Sequence, residues 1–129
     1  MVIDSSALLA LLQDEPEAAA FRVALEDDQT RLVSAATVLE ASMVLDGRFG
    51  EIASRELDLF INQAGIEIIP VDKEQLAEAR RAWRRFGRGR HPAGLNYGDL
   101  FSYALSRTTG EPLLFKGNDF TRTDITRVM

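Results

Sequence analysis

Cysteine is absent from the 129 residues, and His91 is the only histidine. These absences exclude disulfide bridges, thiolate zinc sites, cysteine nucleophiles and a catalytic pair of histidines. The longest apolar run, residues 7–12, is far shorter than the roughly 18 residues that a transmembrane helix needs, so we expect no membrane partner. No basic segment precedes Asp4 as it would in a signal peptide, which predicts a cytoplasmic protein.

Acidic residues are missing from one stretch of an otherwise acidic chain. The formal net charge is −5, yet no acid lies between Glu78 and Asp99. The arginines in that interval are Arg80, Arg81, Arg84, Arg85, Arg88 and Arg90. A helix stabilised for its own sake would intersperse glutamates. We therefore expect the group formed by Arg84, Arg85, Arg88 and Arg90 to bind the phosphates of a nucleic acid. The alternative is that it forms the solvated face of an amphipathic helix.

Short apolar runs alternate with amphipathic stretches along the whole chain. Strands are predicted at 1–3, 31–33, 66–71 and 113–115, with an additional edge strand at 125–128. Helices are predicted at 5–12, 15–28, 34–45, 52–64, 72–86 and 99–107. This alternation predicts an α/β fold, with a mainly parallel sheet of four to five short strands and helices on both faces. The length predicts a single domain spanning residues 1–129.

Two local features follow from the stretch between residues 72 and 94. Asp72 is the expected N-cap of a helix whose apolar stripe faces the core. The members of that stripe are Leu76, Ala79, Trp83 and Phe86. The segment 87–94, rich in Gly and Arg, predicts a mobile loop with His91 in solvent.

Four acids lie near predicted strand-to-helix junctions: Asp4, Glu40, Asp99 and Asp119. Because groups beyond the carboxyl ends of parallel strands share one crevice, we expect these carboxylates to converge. Like charges at such distances raise one another's pKa, and a divalent cation relieves the repulsion. Ligands that are all oxygen favour Mg²⁺, with Mn²⁺ as a substitute, over zinc.

Each acid also has a purely structural explanation when it is considered alone. Asp4 is a suitable cap for the helix that follows it, and Thr37-x-x-Glu40 has the form of a capping box. Asn96-x-x-Asp99 is typical of a helix start with an acid in the first turn. Only the combination of the four positions favours a metal site over capping.

Four segments together resemble the PIN-domain ribonucleases, and within them the VapC toxins of bacterial toxin–antitoxin pairs. They are residues 2–7 (VIDSSA), Glu40 within 34–41, residues 92–99 (PAGLNYGD) and residues 114–120 (LFKGNDF). The resemblance implies a three-layer PIN sandwich and the activity of an Mg²⁺-dependent endoribonuclease. In such an enzyme a metal-activated water attacks the phosphodiester bond, and the products carry a 5′-phosphate and a 3′-hydroxyl. It assigns catalysis to Asp4, Glu40, Asp99 and Asp119, and metal binding to Asp4, Asp99 and Asp119.

Supporting roles fall to residues beside these acids. By the same resemblance, Ser6 orients the Asp4 carboxylate, and Thr123-Asp124 matches a feature near the fourth acid. Whether Asp119 or Asp124 lies closer to the metal stays open. Asn96 supports Asp99 as a cap, and Lys116 is expected to contact phosphate or to orient a carboxylate.

Surplus apolar residues predict protein partners. They are Leu8, Leu9, Leu11 and Leu12 on one helix and Ile52, Leu57, Leu59, Phe60 and Ile61 on another. The resemblance implies a homodimer and a cognate VapB-like antitoxin laid into a hydrophobic groove. Two other functions are weighed: a receiver-like Mg²⁺-binding signalling domain, in which Asp4 lacks the expected neighbouring acid, and a non-catalytic RNA-binding module.

Overall fold

The computed structural model describes residues 1–129, which form four β-strands and six α-helices. The strands are β1 (Val2–Ile3), β2 (Leu32–Ser34), β3 (Glu67–Ile69) and β4 (Leu113–Leu114). The helices are α1 (Ser5–Leu12), α2 (Ala18–Asp27), α3 (Ala35–Phe49), α4 (Glu51–Gln63), α5 (Lys73–Phe86) and α6 (Tyr97–Thr109). None of these helices has the length and apolar character needed to cross a membrane.

The strands form one parallel sheet in the order β3-β2-β1-β4. Val2 pairs with Leu32 on one side and with Leu113 on the other. The chain moves outward from β1 through β2 to β3, and then returns to add β4 on the opposite side of β1. Open parallel sheets bind ligands where the strand order reverses in this way, beyond the carboxyl ends of the strands. Asp4 directly follows β1 at this point.

Side chains alternate between two apolar layers, one on each face of the sheet. Ile3 and Leu114 join a core built with α1, α2, α3 and α4, while Val2 and Leu113 join a core built with α5 and α6. Successive strand residues point to opposite faces, so these two-residue strands serve both layers. The predicted α/β sandwich with helices on both faces is confirmed.

Several predicted boundaries differ from the structure. The segment 125–128 is not a strand, because only an isolated bridge joins Leu113 to Arg127. In this bridge the Leu113 N–H donates to the Thr126 carbonyl, and the Val128 N–H donates to the Leu113 carbonyl. The strand predicted at 66–71 is shorter in the structure, where β3 spans only Glu67–Ile69. Helix α2 begins at Ala18 instead of Glu15, with Pro16 and Glu17 in the preceding turn.

The apolar stripe predicted for α5 is only partly buried. Of its four members, Phe86 enters the core and Ala79 is half-buried, whereas Leu76 and Trp83 are 46% and 43% exposed. Ala82, which lies outside the predicted stripe, is buried. Helix α5 packs on α6 alone among the helices of this layer, so part of its apolar surface stays open. It lines a groove of about 450 Å³ between α5 and α6.

The segment 87–94 is a hydrogen-bonded reversal and not a free loop. The N–H of Arg88 donates to the Leu95 carbonyl at 3.0 Å, and the N–H of Leu95 donates to the Phe86 carbonyl at 2.9 Å. His91 is half-buried: its Nδ1 accepts from the Ala93 N–H at 3.0 Å, and its ring meets the Phe86 ring edge to face. The prediction of a solvated His91 is therefore wrong.

Candidate active site

The Asp4 carboxylate is buried at the carboxyl end of β1, where only 4% of the residue is exposed. Its Oδ2 accepts hydrogen bonds from the Ser6 backbone N–H at 3.1 Å and from the Ser6 hydroxyl at 2.7 Å. Its Oδ1 accepts a hydrogen bond from the Ser102 hydroxyl on α6 at 2.6 Å. Burial raises the pKa of Asp4, while the hydrogen bonds from Ser102 and Ser6 oppose that rise. Asp4 does cap α1, but the bond from Ser102 fixes a carboxylate that capping alone does not require.

Asp99 lies in the first turn of α6 and is 8% exposed. It forms a reciprocal capping box with Asn96: the Asp99 N–H donates to Asn96 Oδ1 at 3.0 Å, and the Asn96 N–H donates to Asp99 Oδ2 at 2.9 Å. This geometry holds the carboxylate rigidly at the helix start and leaves Oδ1 without a hydrogen bond from the protein.

The four predicted acids act on one another electrostatically. The pKa of Asp99 is raised to about 7, first because the group is buried, with the Asn96 backbone bond opposing the rise. The negative charges of Asp4, Asp119 and Glu40 raise this pKa further. The fold therefore brings together four carboxylates that lie up to 115 positions apart in the chain, from Asp4 to Asp119.

Glu40 reaches the site from the second turn of α3. The explanation of Glu40 as part of a capping box is wrong, because Ser34 caps α3 by accepting from the Ala36 N–H, and Thr37 is buried. The Glu40 carboxylate lies directly against Gly98, where an added Cβ would fall 2.0 Å from Glu40 Oε2. Gly98 thus leaves the space through which the α3 acid approaches the start of α6.

Asp119 is exposed and follows β4 by five residues. The next residue, Phe120, is 1% exposed and packs edge to face on Phe115 with ring centroids 5.1 Å apart. This buried ring anchors the segment that carries Asp119.

The four side chains suit a hard divalent cation in donor chemistry, since all their donors are carboxylate oxygens. Their mutual repulsion would be relieved by the positive charge. No three of them are already close enough to hold an ion. Neither Glu40 nor Asp119 accepts a hydrogen bond from the protein, so both can turn inward without breaking one. The residues fit such an ion provided that these two carboxylates move.

Ser6 links the first acid to the neighbouring strand. Its hydroxyl donates to Asp4 and accepts from the Lys116 backbone N–H at 3.0 Å. The Lys116 amine points elsewhere, to Glu15 at 2.7 Å and to Glu17 at 3.4 Å. The structure thus contradicts the expectation that this amine orients a carboxylate of the site, because two acids beside the start of α2 already neutralise it.

Asp124 makes its polar contacts with α5 and α6 residues and with none of the four acids. Its Oδ1 accepts from the Tyr103 hydroxyl at 2.5 Å, and its Oδ2 pairs with Arg85 at 3.3 Å and with Arg107 at 4.0 Å. Asp119, and not Asp124, is the acid that contributes to the raised pKa of Asp99.

The arginines between residues 80 and 90 are all exposed, but they are not equivalent. Arg81 pairs with Glu78, and Arg85 pairs with Asp124. The Arg90 guanidinium stacks over the Trp83 ring at 4.0 Å. Arg84, Arg88 and Arg90 form no ion pair. Of these three, Arg84 and Arg88 have no ring contact either, so their guanidinium groups are the least engaged of the group.

Sequence reasoning missed three residues at or near this site. Ser102 lies one turn after Asp99 on the same face of α6, and that spacing was the available signal. Gly98 matters because it lacks a side chain, and Tyr103 because it reaches Asp124. No local pattern in the sequence indicates either contact.

Comparison with known proteins identifies the family. The PIN domain family profile matches residues 1–125. The chain is 53% identical over 128 residues to VapC ribonuclease Mb0640 of Mycobacterium bovis and, equally, to ribonuclease VapC30 of Mycobacterium tuberculosis. It is 52% identical to a ribonuclease VapC of Mycolicibacterium smegmatis. These alignments cover 99% of this chain and 98 to 99% of the relatives.

Two solved structures share the fold. One is Mycobacterium tuberculosis VapC20, described as a toxin that cleaves the sarcin–ricin loop, with a TM-score of 0.77, 15% identity, and coverage of 97% of this chain and 95% of that one. The other is VapBC-1 of nontypeable Haemophilus influenzae, with a TM-score of 0.75, 16% identity, and coverage of 98% and 94%. At these identities the likeness concerns the fold alone. PIN-domain VapC ribonucleases generally depend on a divalent metal ion. By its family profile and its close relatives, this chain belongs to the PIN-domain VapC ribonucleases, the endoribonuclease toxins of toxin–antitoxin pairs.

Proposed function

We propose that residues 1–129 act as one PIN domain that hydrolyses RNA phosphodiester bonds at an Mg²⁺ site formed by Asp4, Glu40, Asp99 and Asp119. The observation that carries the proposal is the convergence of three further carboxylates on the buried Asp99: burial raises the pKa of Asp99 to about 7, and the charges of Asp4, Asp119 and Glu40 add to that rise. Stability alone gives no reason to gather four uncompensated acids at the reversal of a sheet.

The chain's own residues divide the work at this site. Asp4 and Asp99 form the fixed part, held by Ser6, Ser102 and Asn96. Asp119 completes the ligand set when it turns inward. A divalent cation bound here supplies an activated water and neutralises charge on the scissile phosphate, with Mg²⁺ preferred and Mn²⁺ able to replace it. Glu40 carries no hydrogen bond and is half-buried, so we assign it to orient the attacking water and accept its proton.

The RNA backbone approaches across α5 and the reversal at 87–94. Phosphates carry the same charge as the acidic site, so cationic contacts are needed to hold RNA beside it. Arg84 and Arg88 supply free charge for these contacts. Arg90 contributes from its place over Trp83, and Arg85 would first have to leave Asp124.

The test is cleavage of a mixed RNA pool by the purified protein, with Mg²⁺ or with EDTA. Shortened RNA in Mg²⁺ alone is the expected result. Asp4→Asn and Asp99→Asn remove ligand charge at constant volume and should abolish cleavage without unfolding the chain. Asp58→Asn, at an exposed position on α4, is the matched control. RNA that is bound but never shortened would favour the non-catalytic RNA-binding module, and cleavage by either variant would refute the site.

An antitoxin is the first proposed partner. An apolar groove of about 530 Å³ lies among α1, α3 and α4, with Phe49 and Ile52 exposed in it at 63% and 70%. The acid on its lining is Glu56, so a basic amphipathic segment complements it. The VapBC-1 complex of nontypeable Haemophilus influenzae, which shares this fold, supports this kind of partner. RNA and antitoxin together imply action in the cytoplasm.

A second copy of the chain is the other proposed partner, on a different face. Leu39 and Met43 of α3 are 62% and 66% exposed, and Tyr97 of α6 is 79% exposed. With Phe101 they line an apolar cleft that includes Glu40, so a dimer formed here would place two active sites near each other.

The structure corrects the apolar residues predicted for these contacts. Leu8, Leu11, Leu57 and Ile61 are buried in the core, and Phe60 packs against it. Ile52 stays exposed in the groove, and Leu59 is exposed outside it. Met43→Asp should yield a monomer in light scattering, and Ile52→Asp should prevent binding of the VapB-like antitoxin. Leu59→Asp, also at an exposed position on α4, should do neither.

A further inference from the structure

The segment that carries Asp119 has a polar attachment that the reaction does not explain. Five residues after Asp119, the Asp124 carboxylate joins α5 and α6 through the Tyr103 hydroxyl and the Arg85 guanidinium. Both carboxylate oxygens are engaged, because Tyr103 donates to Oδ1 and Arg85 donates to Oδ2. To ligate a metal, Asp124 would have to break these contacts.

The Tyr103 side chain is held in a position where its hydroxyl bonds only to Asp124. The residue is 4% exposed, and its ring packs near Phe86 in the apolar layer beneath α5 and α6. Burial and the bond to Asp124 raise the pKa of the Tyr103 hydroxyl, so it remains a donor at neutral pH. A buried phenol that aims its only polar atom at one carboxylate makes a specific link.

Asp119 needs such a link because it has no attachment of its own. Its side chain is exposed and makes no hydrogen bond within the protein. The buried Phe120 anchors the segment on one side of it, and Ile125, which follows Asp124 and is only 8% exposed, anchors it on the other. Apolar anchors set the depth of a segment in the core, whereas a hydrogen bond with an ion pair also sets its direction.

We propose that Asp124 is a positioning residue: held by Tyr103 and Arg85, it orients the segment 119–125 so that Asp119 faces Asp99. The proposal rests on the proposed metal site and adds to it the device that aims its fourth acid. It also explains why Arg85, although exposed, is set apart from Arg84 and Arg88.

Mn²⁺ binding and RNA cleavage by the purified chain separate this role from its alternatives. Tyr103→Phe removes one hydroxyl and keeps the ring, and Asp124→Asn keeps the volume but loses the charge. Thr108→Val removes a hydroxyl that bonds only to carbonyls within the same helix and is the matched control. Ser106→Ala loses a hydroxyl bond to the Glu111 carbonyl elsewhere on α6, so it shows whether lower stability alone alters Mn²⁺ binding.

We expect both Tyr103→Phe and Asp124→Asn to weaken Mn²⁺ binding by about tenfold, the lower end of what loss of the residues that support a metal ligand typically costs. Binding is followed by the electron paramagnetic resonance of free Mn²⁺, without RNA. The KM for RNA should stay unchanged, and saturating Mn²⁺ should restore cleavage. The double variant should be no worse than either single one, because both remove the same link.

Two results would overturn the proposal. One is unchanged Mn²⁺ affinity in Tyr103→Phe and Asp124→Asn. The other is complete loss of Mn²⁺ binding in Asp124→Asn together with unchanged Mn²⁺ binding in Tyr103→Phe, which would make Asp124 a ligand. A wild-type chain that binds Mn²⁺ but cleaves no RNA would refute the proposed function alone, and the binding measurements would still decide the role of Asp124. A wild-type chain that binds no Mn²⁺ would refute both.

Discussion

The Ser102 hydroxyl donates a hydrogen bond of 2.6 Å to Oδ1 of Asp4, across 98 positions of sequence. Both residues are buried, so this bond joins the first strand to α6 inside the protein. Because Ser102 lies one turn after Asp99, the same helix that presents one carboxylate of the site also fixes another.

Loss of this bond should reduce both stability and catalysis. Ser102→Ala leaves a buried carboxylate oxygen without its donor, which typically costs about 1–3 kcal/mol of unfolding free energy. Cleavage at limiting Mg²⁺ should fall about 10- to 100-fold, because Asp4 loses its fixed orientation. Denaturant unfolding and RNA cleavage measure the two effects. Ser106→Ala should lower stability but leave cleavage intact, and equal loss of cleavage in both variants would contradict the assignment.

A side chain at Gly98 should displace Glu40. The added Cβ of Gly98→Ala would lie 2.0 Å from Glu40 Oε2, a distance that no contact allows. We expect a marked loss of cleavage with the helix intact, since alanine is the better helix former. Gly47→Ala is the control, because Gly47 is inside α3 and nothing lies within 4 Å of its added Cβ. Normal cleavage by Gly98→Ala would show that the position of Glu40 is unimportant.

The metal-free protein should lose stability as the pH rises from 5 to 8. The pKa of Asp99 is about 7 in the folded chain and near 3.8 when unfolded, so between these values the native state binds the additional proton. Stability falls with pH wherever the native state binds more protons than the unfolded state. Each unit by which the pKa of the folded state exceeds that of the unfolded state corresponds to about 1.4 kcal/mol of unfolding free energy.

Thermal unfolding in EDTA across this pH range tests that expectation. Asp99→Asn should flatten the dependence and raise the melting temperature above that of the wild type at pH 8. Added Mg²⁺ should stabilise the wild type, by about 2.7 kcal/mol at a hundredfold excess over its Kd. A wild-type melting temperature that climbs steadily from pH 5 to 8 in EDTA would contradict the proposed repulsion.

RNA affinity should depend on two arginines more than on their neighbours. Each phosphate contact contributes about −0.7 to the slope of log K against log salt for a single strand. Arg84→Gln and Arg88→Gln should each reduce the slope by about this amount, when binding is measured in EDTA to prevent cleavage. Arg85→Gln should change it less, because Asp124 already occupies that guanidinium. If every variant, including the α4 control Arg55→Gln, has the same slope as the wild type, these arginines do not contact RNA and form only the solvated face of the helix.

Local pattern was enough to predict much of the architecture. Short β-branched runs separated by amphipathic stretches predicted a parallel sheet covered on both faces, since each strand and helix must bury its apolar side. Asp72 and Asn96 were identifiable as caps because capping depends on neighbours three residues away. The four acids were identifiable from their place after predicted strands and from their resemblance to a known family.

Long-range contacts decided the rest. Lys116 stands three residues from Asp119 in sequence, yet its amine pairs with Glu15 and Glu17, because the end of β4 packs beside the start of α2. Trp83 fits the apolar period of α5 but remains exposed, because no further helix covers that side. The sequence by itself determined which residues carry charge and the order in which the main strands and helices follow one another. Only the tertiary structure decided that Ser102 holds Asp4, that Gly98 admits Glu40 and that Tyr103 holds Asp124, because each contact joins elements brought together by burial of the shared core.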